Sequence, residues 1–186
     1  NNLGASIACE TLLDYFGKDH IHYENESYVW KKNFSGDLQG MLFPKSRKKD
    51  WNAIYDCPWT YEYVNNVTST EQMEIQTENQ KGKDDQKDTA KEGHKKQKKH
   101  KSLVMYRDSF GNALVPFMAQ EYPKGYFTKE VPYDLSLVDA YKADDVVIEL
   151  AQRQISTLLE GVPYMMAPGV AFDQDVQETE KTAATM

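Results

Sequence analysis

The sequence has no apolar run that approaches the roughly 18 residues of a membrane-spanning helix, so we expect no membrane span within this chain. Positive charge is also in short supply, because 22 lysines and arginines against 29 acidic residues leave a formal net charge of −7. This balance disfavours contact with a phosphate backbone, and it predicts that the chain has no nucleic-acid partner.

Cysteine is nearly absent, with only Cys9 and Cys57, and the two lack the spacing of a metal site. They form one disulfide or remain buried thiols, and the second alternative is favoured. We predict neither a bound metal nor another cofactor.

Histidine is scarce as well, with four residues in the chain: His20, His22, His94 and His100. His94 and His100 stand among lysines, whose charge disfavours a metal. His20 or His22 could in principle act as a catalytic base, but their spacing does not select them, and solvated histidines are the favoured interpretation. A nucleophilic serine in this chain therefore has no evident base to take its proton.

What the chain does have is enough apolar surface to fold: 40% of its residues are hydrophobic and 12% are aromatic. Residues 79–101 are the exception, since Ala90 is their only apolar residue. They predict a flexible charged loop, and residues 168–186 predict an acidic tail. The remainder, residues 1–167, is expected to form one domain.

The first part of the chain predicts a helix, a turn and a small group of strands. Residues 1–16 have helical spacing with Gly17 as the C-cap and no N-cap of their own. A short strand is predicted at Tyr28–Trp30, and Ser35 with Gly36 predicts a capped turn into a short helix. Residues 52–78 predict two or three strands of a peripheral antiparallel piece.

From residue 102 onwards, strand and helix patterns alternate, which is typical of a parallel sheet and of the α/β class. The predicted elements are a strand at 102–107, a helix at 111–121, a strand at 125–131, a helix at 135–141, a strand at 145–150 and a helix at 151–160.

Ser109 lies where the strand at 102–107 gives way to a helix, and this is where an α/β fold presents side chains to a ligand. Backbone N–H groups at a helix start can stabilise an oxyanion, so Ser109 and Phe110 are candidate donors. Asn112 is a further candidate donor, or it only caps the helix. The alternative for Ser109 is an ordinary helix N-cap.

The surrounding residues extend this interpretation to a family. The chain resembles the SGNH hydrolase-like family that includes the DHHW proteins and the alginate O-acetylation proteins. The resemblance is carried by the nucleophile block Tyr106–Phe117 (YRDSFGNALVPF), by Asp144–Gln154 (DDVVIELAQRQ) and by the opening Asn1–Ala8 (NNLGASIA). It implies an SGNH-like three-layer sandwich with a mostly parallel sheet and a small antiparallel insertion, in which Ser109 is the nucleophile.

The resemblance also implies where the missing base lies. In the family, a histidine and its carboxylate partner belong to an Asp-x-His-Trp motif, which here would end immediately before Asn1. We therefore expect the remainder of a longer parent chain as a partner, and little activity from this chain alone. Gln154 stands where the family has asparagine, which weakens that block as a source of oxyanion donors.

The resemblance implies an extracytoplasmic or cell-envelope carbohydrate O-acetyltransferase or acetylesterase, with a carbohydrate or an acyl donor as partner. Arg107, Glu149 and Arg153 join Phe110 and Asn112 as candidate oxyanion or substrate-binding residues. Glu149 and Arg153 alternatively form only a surface ion pair.

The competing function is a non-catalytic surface or carbohydrate-binding module in which Ser109 caps a helix. Tyr15, Trp30, Trp51 and Trp59 form a sugar-stacking wall or, as favoured, part of the core.

Overall fold

A computed structural model describes residues 1–36, 48–79 and 102–165 of the chain. Three predictions lie outside these residues: the short helix that follows Gly36, the charged loop predicted at 79–101 apart from Asn79, which ends a strand, and the acidic tail at 168–186. The described part is an α/β structure with a five-stranded mixed sheet and a smaller two-stranded antiparallel sheet.

The five-stranded sheet has the strand order β3-β4-β6-β5-β7. β5 is parallel to β6 and to β7, as the alternating pattern predicts, whereas β4 is antiparallel to both β3 and β6. β4 therefore lies inside the sheet, and its assignment to a peripheral piece is wrong. The strand bounds are Tyr61–Tyr63 (β3), Glu74–Asn79 (β4), Ser102–Tyr106 (β5), Lys124–Thr128 (β6) and Asp145–Ile148 (β7).

The interior strand β5 is buried at all five of its residues. A strand covered on both faces needs apolar side chains in both directions, so it appears in the sequence as a continuous run without alternation. Leu103 and Met105 pack into one hydrophobic cluster, and Val104 and Tyr106 pack into the other. The two clusters therefore lie on opposite faces of the sheet.

The first helix, α1 (Asn2–Tyr15), is capped at both ends. The Asn1 side chain accepts the N–H of Gly4 at 3.0 Å, so the expectation that α1 has no N-cap of its own is wrong. At the other end, Gly17 has φ +65°, and the N–H groups of Gly17 and Lys18 donate to carbonyls of the last turn. This is a Schellman C-cap, and it confirms the role predicted for Gly17.

The two-stranded sheet consists of β1 (Tyr28–Phe34) and β2 (Asp50–Tyr55). The predicted strand at 28–30 is thus confirmed and is longer than expected. α1 holds this sheet through Asn2, whose N–H donates to Asn52 Oδ1 at 2.7 Å and whose side-chain amide donates to the Ala53 carbonyl at 2.9 Å.

The helical segments that follow the parallel strands are more broken than the sequence pattern predicts. After β5, a 3-10 turn at Phe110–Ala113 precedes α2 (Val115–Glu121). α2 begins next to Pro116, because a proline has no N–H and is tolerated only in the first helical turn. α3 (Ser136–Tyr141) matches its prediction. The helix predicted at 151–160 is instead a 3-10 turn at Gln152–Gln154 followed by α4 (Thr157–Glu160).

The two cysteines, Cys9 and Cys57, are thiols that form no disulfide, and Cys9 is buried whereas Cys57 is half-buried. Within the described residues, no helix is both long enough and apolar enough to cross a membrane.

Candidate functional site

Ser109 lies three residues beyond the end of β5, at the carboxyl edge of the parallel strands. The last residue of β5, Tyr106, is in register with Thr128 of β6 and with Ile148 of β7. The segments that follow these three strands therefore meet at one edge of the sheet. In open α/β sheets this is the edge at which ligands bind.

The Ser109 hydroxyl is exposed and does not cap the helix that follows it. The hydrogen bond that an N-cap side chain would make is made by the preceding residue, since Asp108 Oδ1 accepts the N–H of Phe110 at 2.7 Å. The arrangement is an Asx-turn, in which a carboxylate accepts the N–H two residues further on. The Ser109 side chain itself makes no capping hydrogen bond.

Two carboxylates fasten this turn to the segment that follows β7. Glu149 Oε2 accepts the N–H of Asp108 at 3.2 Å, and Asp108 Oδ2 accepts the N–H of Ala151 at 2.7 Å. Glu149 also accepts the N–H of Gly111. Asp108, which precedes Ser109, is therefore held by two hydrogen-bond partners that lie 41 and 43 residues away in sequence.

Glu149 is held in an environment that favours its neutral form. Burial raises the pKa of its carboxyl, and the nearby charge of Asp108 raises it further, against two backbone N–H bonds that favour the charged form. Both carboxylates accept backbone N–H groups, so they set the shape of the turn rather than the basicity of the serine.

Arg107 supports the turn from the inside, with only 2% of its surface exposed. Its Nη1 donates to Asn112 Oδ1, its Nη2 donates to the Gln72 carbonyl at 2.8 Å, and its backbone N–H donates to Thr128 at 2.9 Å. Burial lowers the pKa of Arg107 to about 10, so the guanidinium remains charged at neutral pH. In this arrangement Arg107 and Asn112 are bound to each other.

Gly111 is the position that allows these side chains to approach the turn. A Cβ at Gly111 would lie 2.6 Å from Glu149 Oε2 and 2.7 Å from Arg107 Cβ. Sequence reasoning did not single out Gly111 or Asp108. The signal for Asp108 was present, because an aspartate two residues before a helical N–H is the pattern of an Asx-turn.

The outer side of the site is formed by Phe110 and Arg153. The Arg153 guanidinium lies over the Phe110 ring at 4.9 Å from the centroid, and 49% of Phe110 is exposed. The Phe110 N–H donates to Asp108, so its predicted role as an oxyanion donor requires that this hydrogen bond be shared or given up. The structure thus brings the six predicted residues to one edge: Arg107, Ser109, Phe110, Asn112, Glu149 and Arg153.

His20 lies at the opposite edge of the sheet from Ser109. Its ring nitrogens contact Asp14 Oδ1 at 3.1 Å and the Ile21 carbonyl at 2.9 Å, and the N–H of Ile21 donates to Glu121. Glu121 is the last residue of α2, at the end of the helical segment that is farther from Ser109. The ring of His22 packs against that of His20. Neither histidine is placed to act on Ser109.

The four aromatic residues for which core packing was favoured are all exposed, so that interpretation is wrong. The exposed fractions are 86% for Tyr15, 45% for Trp30, 54% for Trp51 and 38% for Trp59. Trp30 lies on β1 and Trp51 lies on β2 of the two-stranded sheet, where both side chains are exposed.

No protein-family model and no curated protein matches the chain. Solved structures are similar in fold. A DHHW family protein from Eubacterium siraeum DSM 15702 has a TM-score of 0.58 at 13% identity, over 88% of this chain and 62% of that one. Bacillus cereus PatB1 with a sulfonyl adduct has a TM-score of 0.55 at 13% identity, over 83% and 58%. PatB1 in a second structure has a TM-score of 0.54 at 15% identity, over 83% and 60%.

The chain spans about three fifths of the length of these structures. At such identities the similarity is one of fold, and it supports a DHHW-like fold for the described residues.

Proposed function

We propose that Ser109 is the nucleophile of an SGNH-like O-acetyltransferase or acetylesterase that acts on carbohydrate outside the cytoplasm. One observation carries this proposal: Ser109 is exposed and its hydroxyl makes no capping hydrogen bond, on a turn that Glu149 and Asp108 tie to the segment after β7 and that the buried Arg107 supports. A serine that served only as a cap would accept a backbone N–H, and Asp108 does that instead. The DHHW-like fold supports the proposal.

In the proposed reaction, the Ser109 oxygen attacks the carbonyl carbon of an acetyl ester while a base removes the hydroxyl proton. The tetrahedral oxyanion is stabilised by the Ser109 N–H, and by the Phe110 N–H once its hydrogen bond to Asp108 is shared or given up. The intermediate collapses as the leaving oxygen takes the proton. The acetyl group on Ser109 then passes to water in an esterase, or to a sugar hydroxyl in a transferase.

The base comes from outside the described residues, since these place neither His20 nor His22 near Ser109. A histidine of an Asp-x-His-Trp motif in the remainder of a parent chain fits the role, with the aspartate as its orienting partner. We therefore expect this chain alone to hydrolyse small acetyl esters little or not at all, because an unactivated serine is a weak nucleophile.

The test is fluorophosphonate labelling of the chain with and without added imidazole, which supplies the base in trans. We expect slow labelling that imidazole accelerates and that Ser109→Ala abolishes. Ser156→Ala is the matched control, because Ser156 is also exposed, precedes a short helix and makes no capping hydrogen bond. Labelling that survives Ser109→Ala, or that imidazole accelerates equally at both serines, would overturn the proposal.

A further inference from the structure

The two-stranded sheet has an outer strand, β1, that is exposed along its length. Every residue of β1 is exposed except Phe34, which is half-buried. β2 lies on the inner side, where Asn52 and Ala53 are buried and accept hydrogen bonds from Asn2 of α1. Within the described residues β1 pairs with β2 alone. The outer strand therefore presents one edge and both of its faces to the surroundings.

Exposed apolar side chains lie on both faces of this strand pair. Residues opposite each other in an antiparallel pair share a face, so Trp30 and Trp51 lie on one face and Val29 lies on the other. The exposed fractions are 45% for Trp30, 54% for Trp51 and 56% for Val29. A molecule that stacked on one face would leave the apolar group of the other face in water.

Lysines accompany the apolar side chains on each face. Lys32 shares the face of the two tryptophans, and its ammonium group is 4.9 Å from the centroid of the Trp51 ring. Lys31 lies on the opposite face, with Val29. Each face thus combines an apolar group with a cation. We call Val29, Trp30, Lys31, Lys32 and Trp51 the ribbon patch.

Positive charge is concentrated around the ribbon patch. Residues 28–34 and 48–55 contain four lysines and one aspartate, in a chain whose net charge is −7. The acidic residues Glu24, Glu26 and Asp56 flank the other end of the sheet, where Tyr28 is opposite Tyr55. The patch is therefore complementary to an anionic partner, although the chain as a whole is acidic.

The position of the lysines disfavours a second protein strand as that partner. Lysines on an exposed edge strand oppose pairing with another strand, because their charges would be brought together or buried. Two copies of β1 side by side would place Lys31 and Lys32 close to the same two residues of the partner copy.

A bilayer surface accommodates an edge with apolar groups on both faces. Apolar side chains of peripheral proteins reach about 5–10 Å into the boundary between headgroups and acyl chains, and paired strands are only about 4.8 Å apart. Tryptophan favours this boundary because its ring is apolar and its N–H is polar. Lysines beside it contact the anionic headgroups.

We propose that the ribbon patch binds the surface of an anionic lipid bilayer. Trp30, Trp51 and Val29 enter the headgroup boundary, and Lys31 and Lys32 pair with lipid phosphates. The chain then lies on the membrane and does not cross it. No residue of the Ser109 turn takes part, so this proposal goes beyond the proposed function and does not depend on it.

The experiment is sedimentation of this chain with vesicles made of equal amounts of phosphatidylglycerol and phosphatidylcholine. Vesicles of phosphatidylcholine alone are the uncharged comparison. We expect saturable binding to the anionic vesicles that is at least about tenfold tighter than to the neutral ones and that weakens as salt is added. Tryptophan emission should shift to shorter wavelength on binding, and brominated lipid should quench it.

Lysine variants test the electrostatic part. Lys31→Gln with Lys32→Gln should lower the affinity for anionic vesicles by about tenfold or more, since each lysine near such a surface contributes about fivefold. Lys124→Gln with Lys142→Gln is the matched control, because both lysines are exposed and lie on β6 and after α3. This control should change the affinity by less than about twofold.

Tryptophan variants test the insertion. Trp30→Ala with Trp51→Ala should lower the affinity by about tenfold or more and abolish quenching by brominated lipid, while Trp59 still reports emission. Trp30→Phe with Trp51→Phe keeps two apolar rings in place, so it should lose the quenching and retain more of the affinity. Tyr15→Ala removes an exposed ring at the far end of α1 and should leave both unchanged.

Several results would overturn the proposal. These are no binding to anionic vesicles, equal affinity for neutral vesicles, or binding that the ribbon and control variants weaken equally. Equally tight binding of DNA or of polygalacturonate would assign the patch to a polyanion. Self-association that the Trp30→Ala/Trp51→Ala variant abolishes, without lipid binding, would assign it to a second copy of the chain. Ser109→Ala should bind vesicles as the wild type does.

Discussion

Ser109 and Ser156 have nearly the same local conformation and very different surroundings. Their backbones are at φ −68°, ψ −20° and at φ −62°, ψ −26°, and each precedes a short helix without capping it through its side chain. Both residues are exposed. From the backbone alone, either serine could present a hydroxyl at the start of a helix.

The difference lies in what holds each turn. The turn at Ser109 follows the buried strand β5 and rests on Arg107, with Glu149 and Asp108 fastening it to the segment after β7. The helix after Ser156 has no buried residue. A fixed position of the hydroxyl group therefore depends on the residues that surround the turn, and the backbone conformation of the serine is not sufficient.

The largest expected change in the free energy of unfolding follows substitution of Arg107, the buried residue that supports the Ser109 turn. Arg107→Leu should lower the free energy of unfolding by about 3 kcal/mol, because two acceptors, Asn112 Oδ1 and the Gln72 carbonyl, lose their charged donor. Urea unfolding measures the loss. Arg153→Leu is the matched control at an exposed arginine and should cost less than about 1 kcal/mol. Equal losses would show that burial does not distinguish the two arginines.

A smaller effect is expected at Gly111, where the network leaves no space for a side chain. Gly111→Ala should lower the free energy of unfolding by about 2 kcal/mol, since its Cβ would overlap Glu149 and Arg107. Gly161→Ala, at the end of the helix after Ser156, meets its nearest neighbour at 3.2 Å and should change stability by about 0.5 kcal/mol or less. Thermal unfolding of the two variants measures the difference in their stability. A Gly111→Ala variant as stable as Gly161→Ala would contradict the close packing around Gly111.

The smallest expected effect is a dependence on pH that comes from Glu149. Burial and the charge of Asp108 raise the pKa of Glu149 above its ordinary 4.5, so the folded protein keeps this proton to a higher pH than the unfolded chain. The wild type should therefore lose stability relative to Glu149→Gln as pH rises from about 4.5 through the raised value.

Urea unfolding at several pH values measures this difference between the wild type and Glu149→Gln. Asp108→Asn should reduce it, because the neighbouring charge is one of its causes. Parallel stability curves for the wild type and Glu149→Gln would contradict the burial of this carboxyl at the Ser109 turn.

Local sequence was sufficient wherever the physical cause is local. The continuous apolar run of β5, the positive φ of Gly17 and the placement of Pro116 in the first turn of α2 each depend on a few neighbouring residues. The alternation in β4, with Ile75, Thr77 and Asn79 buried, predicts a strand with one covered face. It does not say which strands lie beside it, and so β4 was placed outside the main sheet.

Hydrophobic periodicity and turn residues act over short distances, so they suffice to predict an α/β chain with Ser109 just after the apolar strand β5. How that serine is held depends on contacts between distant parts of the chain. Glu149 reaches Asp108 across 41 residues because β5 and β7 pair in parallel and end at the same edge. Likewise, the Tyr55 ring packs against Phe117 of α2 and against Tyr28 of β1, which are contacts that no local pattern specifies.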